Sequence, residues 1–166
     1  MTSIHNRSAV VSTWSEESLD EIYALRLMLE GHAAELAANH ATPSDADHLQ
    51  SLATQMDERG SGRKAGYAEA CAELNAQFHL SLVEASKSER LIKIASGLIE
   101  LPLVRQAILA RPWDEVLGSW SQHHMIVAAI RDHNGALAAA LVRAHLLAGQ
   151  NGLRRTLQTN GGRTAR

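Results

Sequence analysis

Asn75 and His79 stand four apart in the stretch ELNAQFHLSLVEAS, residues 73–86. In an α-helix that spacing puts both side chains on one face, one turn apart, where an amide oxygen and an imidazole could grip the same ligand. Two more histidines share the surroundings of His79. His79 follows Phe78 and precedes Leu82, His123 precedes Ile126 and Ile130, and His145 sits among Leu141, Ala144 and Leu146, so each borders an apolar stripe. Taken singly, each reads as a packed or hydrogen-bonded imidazole. Taken together, Asn75, His79, His123 and His145 make one amide oxygen and three imidazoles, a donor set for a divalent ion at the core of a helical bundle. Imidazole suits zinc, nickel, copper and iron, and the ion chosen depends on geometry and supply as well as affinity. Zinc is favoured, with nickel or manganese as alternatives. The spacing is not specific by itself, since the sequence has neither the tight pair of HExxH nor a cysteine knuckle. His5, His40, His48 and His133 fall near helix ends or on polar faces and read as solvated, and His32 and His124 read as surface or interfacial groups.

The elements that must carry these side chains are all helical. Alanine, leucine and long polar residues dominate, the sequence holds 3 prolines, and no stretch alternates apolar and polar residues over strand length. A first helix starts near Ser15, whose hydroxyl can cap while Glu16, Glu17 and Asp20 suit the positive end of the helix dipole. Its core stripe runs through Leu19, Ile22, Leu25 or Leu29, Ala33 and Leu36. Thr42-Pro43 opens a second helix reaching about Arg59, because Pro at the first helical position gives up only an orphan N–H. GSGRKAG connects it to a third, from Tyr67 to Ser86, and Ser88 caps a fourth, from Glu89 to Leu109, kinked at Pro102 and ended by Arg111-Pro112. A fifth runs from Glu115 to Asp132, with Asn134 or Gly135 taking the left-handed conformation at its end, and a sixth from Ala136 to Leu157. Six helices with short connections and no internal repeat make an antiparallel all-α bundle with a pocket in its core.

At 166 residues the chain is read as one domain over 15–158, between a linker-like segment, 1–14, and a flexible tail, 159–166. A single cysteine, Cys71, excludes an internal disulfide framework. With no signal-peptide pattern and no long apolar run, a cytoplasmic protein without membrane attachment is expected. A formal charge of -2 offers no global attraction to nucleic acid.

Along most of its length the chain resembles the FCD domain, the effector-binding C-terminal domain of GntR-type bacterial transcription regulators of the FadR subfamily. EIYALRLMLEGHAAELAA is similar to that family's opening pattern of a glutamate, an arginine and a second glutamate, here Glu21, Arg26 and Glu30. NAQFHLSLVEAS matches its D-x-x-F-H-x-x-L-x-x-A-S in all but the first position, and SQHHMIVAAIRDHNGALAAALVRAH resembles S-x-x-E-H-x-x-I-x-x-A-I with a final histidine further on. That register selects His123 over His124. The resemblance implies a divalent ion held by Asn75, His79, His123 and His145 beneath a pocket for a small organic acid, and a homodimer. Two positions depart from the pattern: Asn75 replaces an aspartate, and Gln122 replaces a glutamate beside the third ligand. An amide is a weaker ligand than a carboxylate, but four neutral donors leave the ion its full +2 charge, for which a carboxylate effector is the natural further ligand. Arg26 and Arg105 are candidates to hold another carboxylate through the guanidinium fork, against a reading as ordinary salt bridges.

Complete regulators of this kind place a winged helix-turn-helix before the domain, and MTSIHNRSAVVSTW cannot supply one, so no direct DNA binding is expected of this chain alone. The expectation is therefore a non-enzymatic sensor with no catalytic residue. The alternatives are a metal-dependent hydrolase or lyase using the three histidines, for which Glu73 and Glu84 have no assigned general-base role, and a purely structural helical partner.

Overall fold

The computed structural model describes residues 16–62, 65–109 and 112–161. They form seven helices and, among the described residues, no strand: α1 Glu16–His40, α2 Pro43–Gly62, α3 Tyr67–Ala85, α4 Glu89–Ile99, α5 Pro102–Leu109, α6 Trp113–Arg131 and α7 Gly135–Gly161. No helix of the described residues is long and apolar enough to cross a membrane.

α1 packs most extensively on α7, α2 on α3 and α6, and α6 on α7, while α3 bridges α1 and the short α4 and α5. Small residues set the closeness of the first contact. Ala34, Ala37 and Ala38 of α1 and Ala138 and Ala139 of α7 are buried, and a Cβ on Gly135 would lie 3.0 Å from the Glu35 carbonyl oxygen. The stripe of α1 resolves in favour of Leu29: Leu19, Ile22 and Ala33 are buried and Leu29 packs against the cluster that contains Ala33, Val83 and Leu91, whereas Leu25 is exposed. The main core gathers Leu49, Met56, Phe78, Leu82, Ile126, Ile130 and Val142 around the centre of the bundle. Cys71 is buried, and burial pushes its thiol up to about 11, so it is inert packing.

The helix ends follow local chemistry. Thr42 and Asp45 cap α2 reciprocally: the Asp45 N–H donates to Thr42 Oγ1 at 3.2 Å, and the Thr42 N–H donates back to the Asp45 carboxylate at 2.8 Å. Pro102 does more than kink a helix. α4 ends at its cap Glu100 and the chain leaves the helix at Leu101, because proline disfavours the α conformation in the residue before it, and what was expected as one helix is α4 and α5. At the α6–α7 turn the left-handed residue is His133, with φ 54°, rather than Asn134 or Gly135. Its imidazole donates to the Ala38 carbonyl at 2.8 Å, which holds it in place, and Asn134 instead caps α7 by accepting the Leu137 N–H. His40 similarly bonds the Ser86 carbonyl at 3.1 Å, so these two histidines, exposed as expected, also tie helix ends together. α7 continues as helix through Gly161, three residues into the segment expected as a flexible tail. Ser15 as cap, residues 1–14, Arg111 and residues 162–166 lie outside the described residues.

Candidate metal and effector site

Side chains from α1, α3, α5, α6 and α7 converge on a cavity of about 30 Å³, lined by Tyr23, Arg26, Asn75, His79, Val104 and His145 among others. Asn75 and His79, one turn apart on α3, both face it. His123 of α6 lies at 0% exposure within the same cluster, and one ring nitrogen from each of His79, His123 and His145 falls within 4.8 Å of the others. The imidazoles pack face and edge: His79 stacks on His145 with centroids 5.2 Å apart, and His123 meets the edge of Phe78 at 4.5 Å.

The hydrogen bonds fix which nitrogens are left to act. His79 Nδ1 lies 2.6 Å from Glu30 Oε2, and Arg26 Nε donates to Glu30 Oε1 at 2.5 Å. Burial alone would raise the Glu30 carboxyl, but the Arg26 guanidinium and the His79 imidazole outweigh it and hold it at about 2. An ionised Glu30 can only accept, so Nδ1 of His79 carries a proton and donates to it, while Nε2 is turned toward His145. On the other side His145 Nδ1 lies 3.0 Å from the amide oxygen of Gln122, which turns its Nε2 toward His79. The two Nε2 atoms face each other at 3.3 Å. Two lone pairs at that distance repel unless a proton or a cation lies between them.

The separation fits a cation. Zinc–imidazole bonds of about 2.0–2.1 Å in a tetrahedron set donor atoms about 3.3–3.4 Å apart. A carboxylate on the far nitrogen of one imidazole and an amide oxygen on that of another are the supports metal-binding histidines use to fix tautomer and orientation. His123 adds a third observation. Both of its ring nitrogens are buried without a hydrogen-bond partner, and burial, reinforced by His145 and His79, pushes its pKa well below 6.5 and keeps the ring neutral. A neutral imidazole with both nitrogens unpartnered, as His123 is, suits a divalent ion.

The structure brings Asn75, His79, His123, His145 and Arg26 together. Arg26 is 2% exposed, and one of its terminal nitrogens, Nη2, has no hydrogen-bond partner. Arg105 is not in the cavity: it is exposed on α5 and lines an adjoining groove of about 190 Å³ that shares Asn75, Val104 and Ile108 with it. His124 points away, bonded to Gln50 and Asp57, so His123 is the inward member of the pair. Glu73 and Glu84 are exposed, and Glu73 accepts from Gln77. Reasoning from sequence missed Glu30 and Gln122 as supports of His79 and His145. The available signal was the Arg26 and Glu30 pair four apart, two opposite charges on one helix face.

The fold is that of an all-α regulator domain. The FCD domain family matches residues 21–148, most of the chain, and the chain belongs to that family. It is 28% identical over 146 residues to the Nta operon transcriptional regulator of Aminobacter aminovorans, spanning 88% of this chain and 66% of that protein. It is 29% identical over 140 residues to the HTH-type transcriptional regulator LutR of Bacillus subtilis strain 168, spanning 79% of this chain and 60% of that protein. In fold it is similar to E. coli McbR/YncC, with a TM-score of 0.72 at 20% identity over 88% of this chain and 67% of that one. It is also similar to the metal-free FCD domain of TM0439, with a TM-score of 0.64 at 18% identity over 88% of this chain and 98% of that one.

Proposed function

We propose that the chain is the effector-sensing domain of a GntR-type transcription regulator, acting in the cytoplasm as a homodimer. Asn75, His79, His123 and His145 hold a divalent ion, zinc ahead of nickel or manganese, and a small carboxylate effector completes its coordination. The ion supplies positive charge at a fixed point. The protein supplies the rest: Glu30 and Gln122 orient two imidazoles, Asn75 and His123 complete the donor set, and Arg26 offers its free Nη2 to the carboxylate. Glu30 and Arg26 balance each other in charge, so an ion held by neutral donors leaves an uncompensated +2 that an anion neutralises. The ligand regulates by preferring one arrangement of the helices, and that preference is passed to the DNA-binding parts of the regulator.

The observation that carries this reading is the buried meeting of three imidazoles: one ring nitrogen from each of His79, His123 and His145 lies within 4.8 Å of the others, and both nitrogens of His123 have no hydrogen-bond partner. A hydrolase has less support. The buried Glu30 is committed to Arg26 and His79, which leaves no free carboxylate beside the imidazoles, among the described residues, to act on water. Elemental analysis of the zinc-loaded chain tests the reading. One ion per chain is expected in the unaltered protein and none after His79→Ala or His145→Ala; an unaltered protein that takes up no ion removes the proposed site.

A further inference from the structure

The cavity at the histidines, about 30 Å³, holds about one water molecule and is too small for an organic acid beside an ion. Room exists next to it. The groove between α3 and α5 measures about 190 Å³, about six water volumes, and Asn75, Val104 and Ile108 line both spaces. Those side chains are the partition between them. Two of the three belong to α5, an eight-residue helix that follows the break at Leu101, whereas the other cavity walls come from helices of 19 to 27 residues packed on one another. A shift of Val104 and Ile108 with α5 therefore joins cavity and groove at the smallest structural cost.

The chemistry of the groove identifies what enters it. Its floor is apolar, formed by Ala72, Ala76, Leu80, Ile99 and Leu101. Its charged residues are Glu73, Glu100 and Arg105, two carboxylates against one guanidinium, which disfavours a second carboxylate on the ligand. A competing groove between α6 and α7 meets the cavity only at Ser119, and its polar lining includes Glu115, Gln122, Asn151 and Arg155.

Resting on the proposed function, we infer that the effector is a monocarboxylic acid with an apolar tail of about six atoms. Its carboxylate sits between the ion and Nη2 of Arg26, and its tail runs past Asn75 into the α3–α5 groove. Arg105 then guards the mouth of the groove rather than binding a second acid group.

Calorimetric titration of the zinc-loaded chain with acetate, hexanoate and adipate tests this. Each buried methylene strengthens binding about fourfold at full burial. Part of that gain is used to move α5, so hexanoate is expected to bind at least tenfold more tightly than acetate and no less tightly than adipate. Ala76→Phe, which fills the groove away from the cavity, should bring hexanoate to the affinity that acetate shows in the same variant. Equal binding of acetate and hexanoate overturns the tail assignment and leaves the carboxylate site standing. Tighter binding of adipate than hexanoate replaces the apolar tail with a second acid group. A hexanoate advantage that survives in a folded Ala76→Phe protein puts the tail elsewhere. If no acid binds, the effector reading fails along with the inference. The comparison of the three acids needs no variant and decides the question even if Ala76→Phe does not fold.

Discussion

Replacing His123 with leucine separates a metal ligand from a packing residue, because the two roles give opposite signs in the absence and presence of zinc. His123 is fully buried with both ring nitrogens unpartnered. A buried polar group left without a partner costs about 1–3 kcal/mol. Leucine removes that cost, and its imperfect fit against Phe78 and the neighbouring imidazoles returns less than about 1.5 kcal/mol. In chelator, His123→Leu should therefore be about 1 kcal/mol more stable than the unaltered chain and melt about 2–4 °C higher. With free zinc at a hundred times its dissociation constant, the unaltered chain gains about 2.7 kcal/mol, or about 5–10 °C, most of which the variant forgoes. The order of the two melting temperatures should reverse. Differential scanning calorimetry in EDTA and in zinc reads both. If the variant is less stable by the same amount in both conditions, His123 serves packing alone and the argument from its unpartnered nitrogens is wrong.

Glu30→Gln removes the anionic support of His79, and zinc affinity measured by competition with a chromophoric chelator should fall about 10–100-fold. Asp45 is held at about 2 by its hydrogen bond to Lys87, against an opposing effect of burial, and by the Thr42 N–H and hydroxyl. Its folded value lies below the unfolded 3.8, so its stabilisation is complete above pH 3.8 and is lost as pH falls toward 2. Asp45→Ala should therefore cost about 1 kcal/mol in urea unfolding at pH 7, and the difference should shrink between pH 4 and pH 2. A Cβ on Gly60 would lie 2.0 Å from Trp120 Cζ3, so Gly60→Ala should destabilise the chain by about 1–3 kcal/mol despite alanine's better helix propensity, as seen in thermal melts.

Much of the histidine cluster was legible because each imidazole borders an apolar stripe, and a stripe at helical spacing points inward whatever the fold. His79, His123 and His145 needed no knowledge of which helices are neighbours. The family pattern was needed to choose His123 over His124, since adjacent residues on one helix flank the same stripe. Glu30 was not legible as the partner of His79: the contact joins α1 to α3 across 49 positions, and no local signal encodes the packing of those helices. The same holds for Gln122 and His145. At Pro102 the sequence marked the place but not the extent of the disruption, because whether a chain kinks or leaves the helix depends on what the following segment packs against. Here α5 packs on α3 and α7, and Val104 and Ile108 close the cavity from there. Arg26 read as a ligand-binding residue from its charge. Its bond to Glu30 adds a supporting role that follows only from both being buried.

Trp120 forms one wall of the cavity, and its ring meets Trp113 edge-on at 5.1 Å, which in turn meets Tyr67 at 4.5 Å. Indole emission depends on the polarity and rigidity of its surroundings, so occupancy of the pocket is written into the optical properties of the chain itself. A change in emission colour or in near-ultraviolet dichroism on adding an acid would follow the pocket directly, without an attached dye and without the operator DNA on which assays of a regulator ordinarily depend.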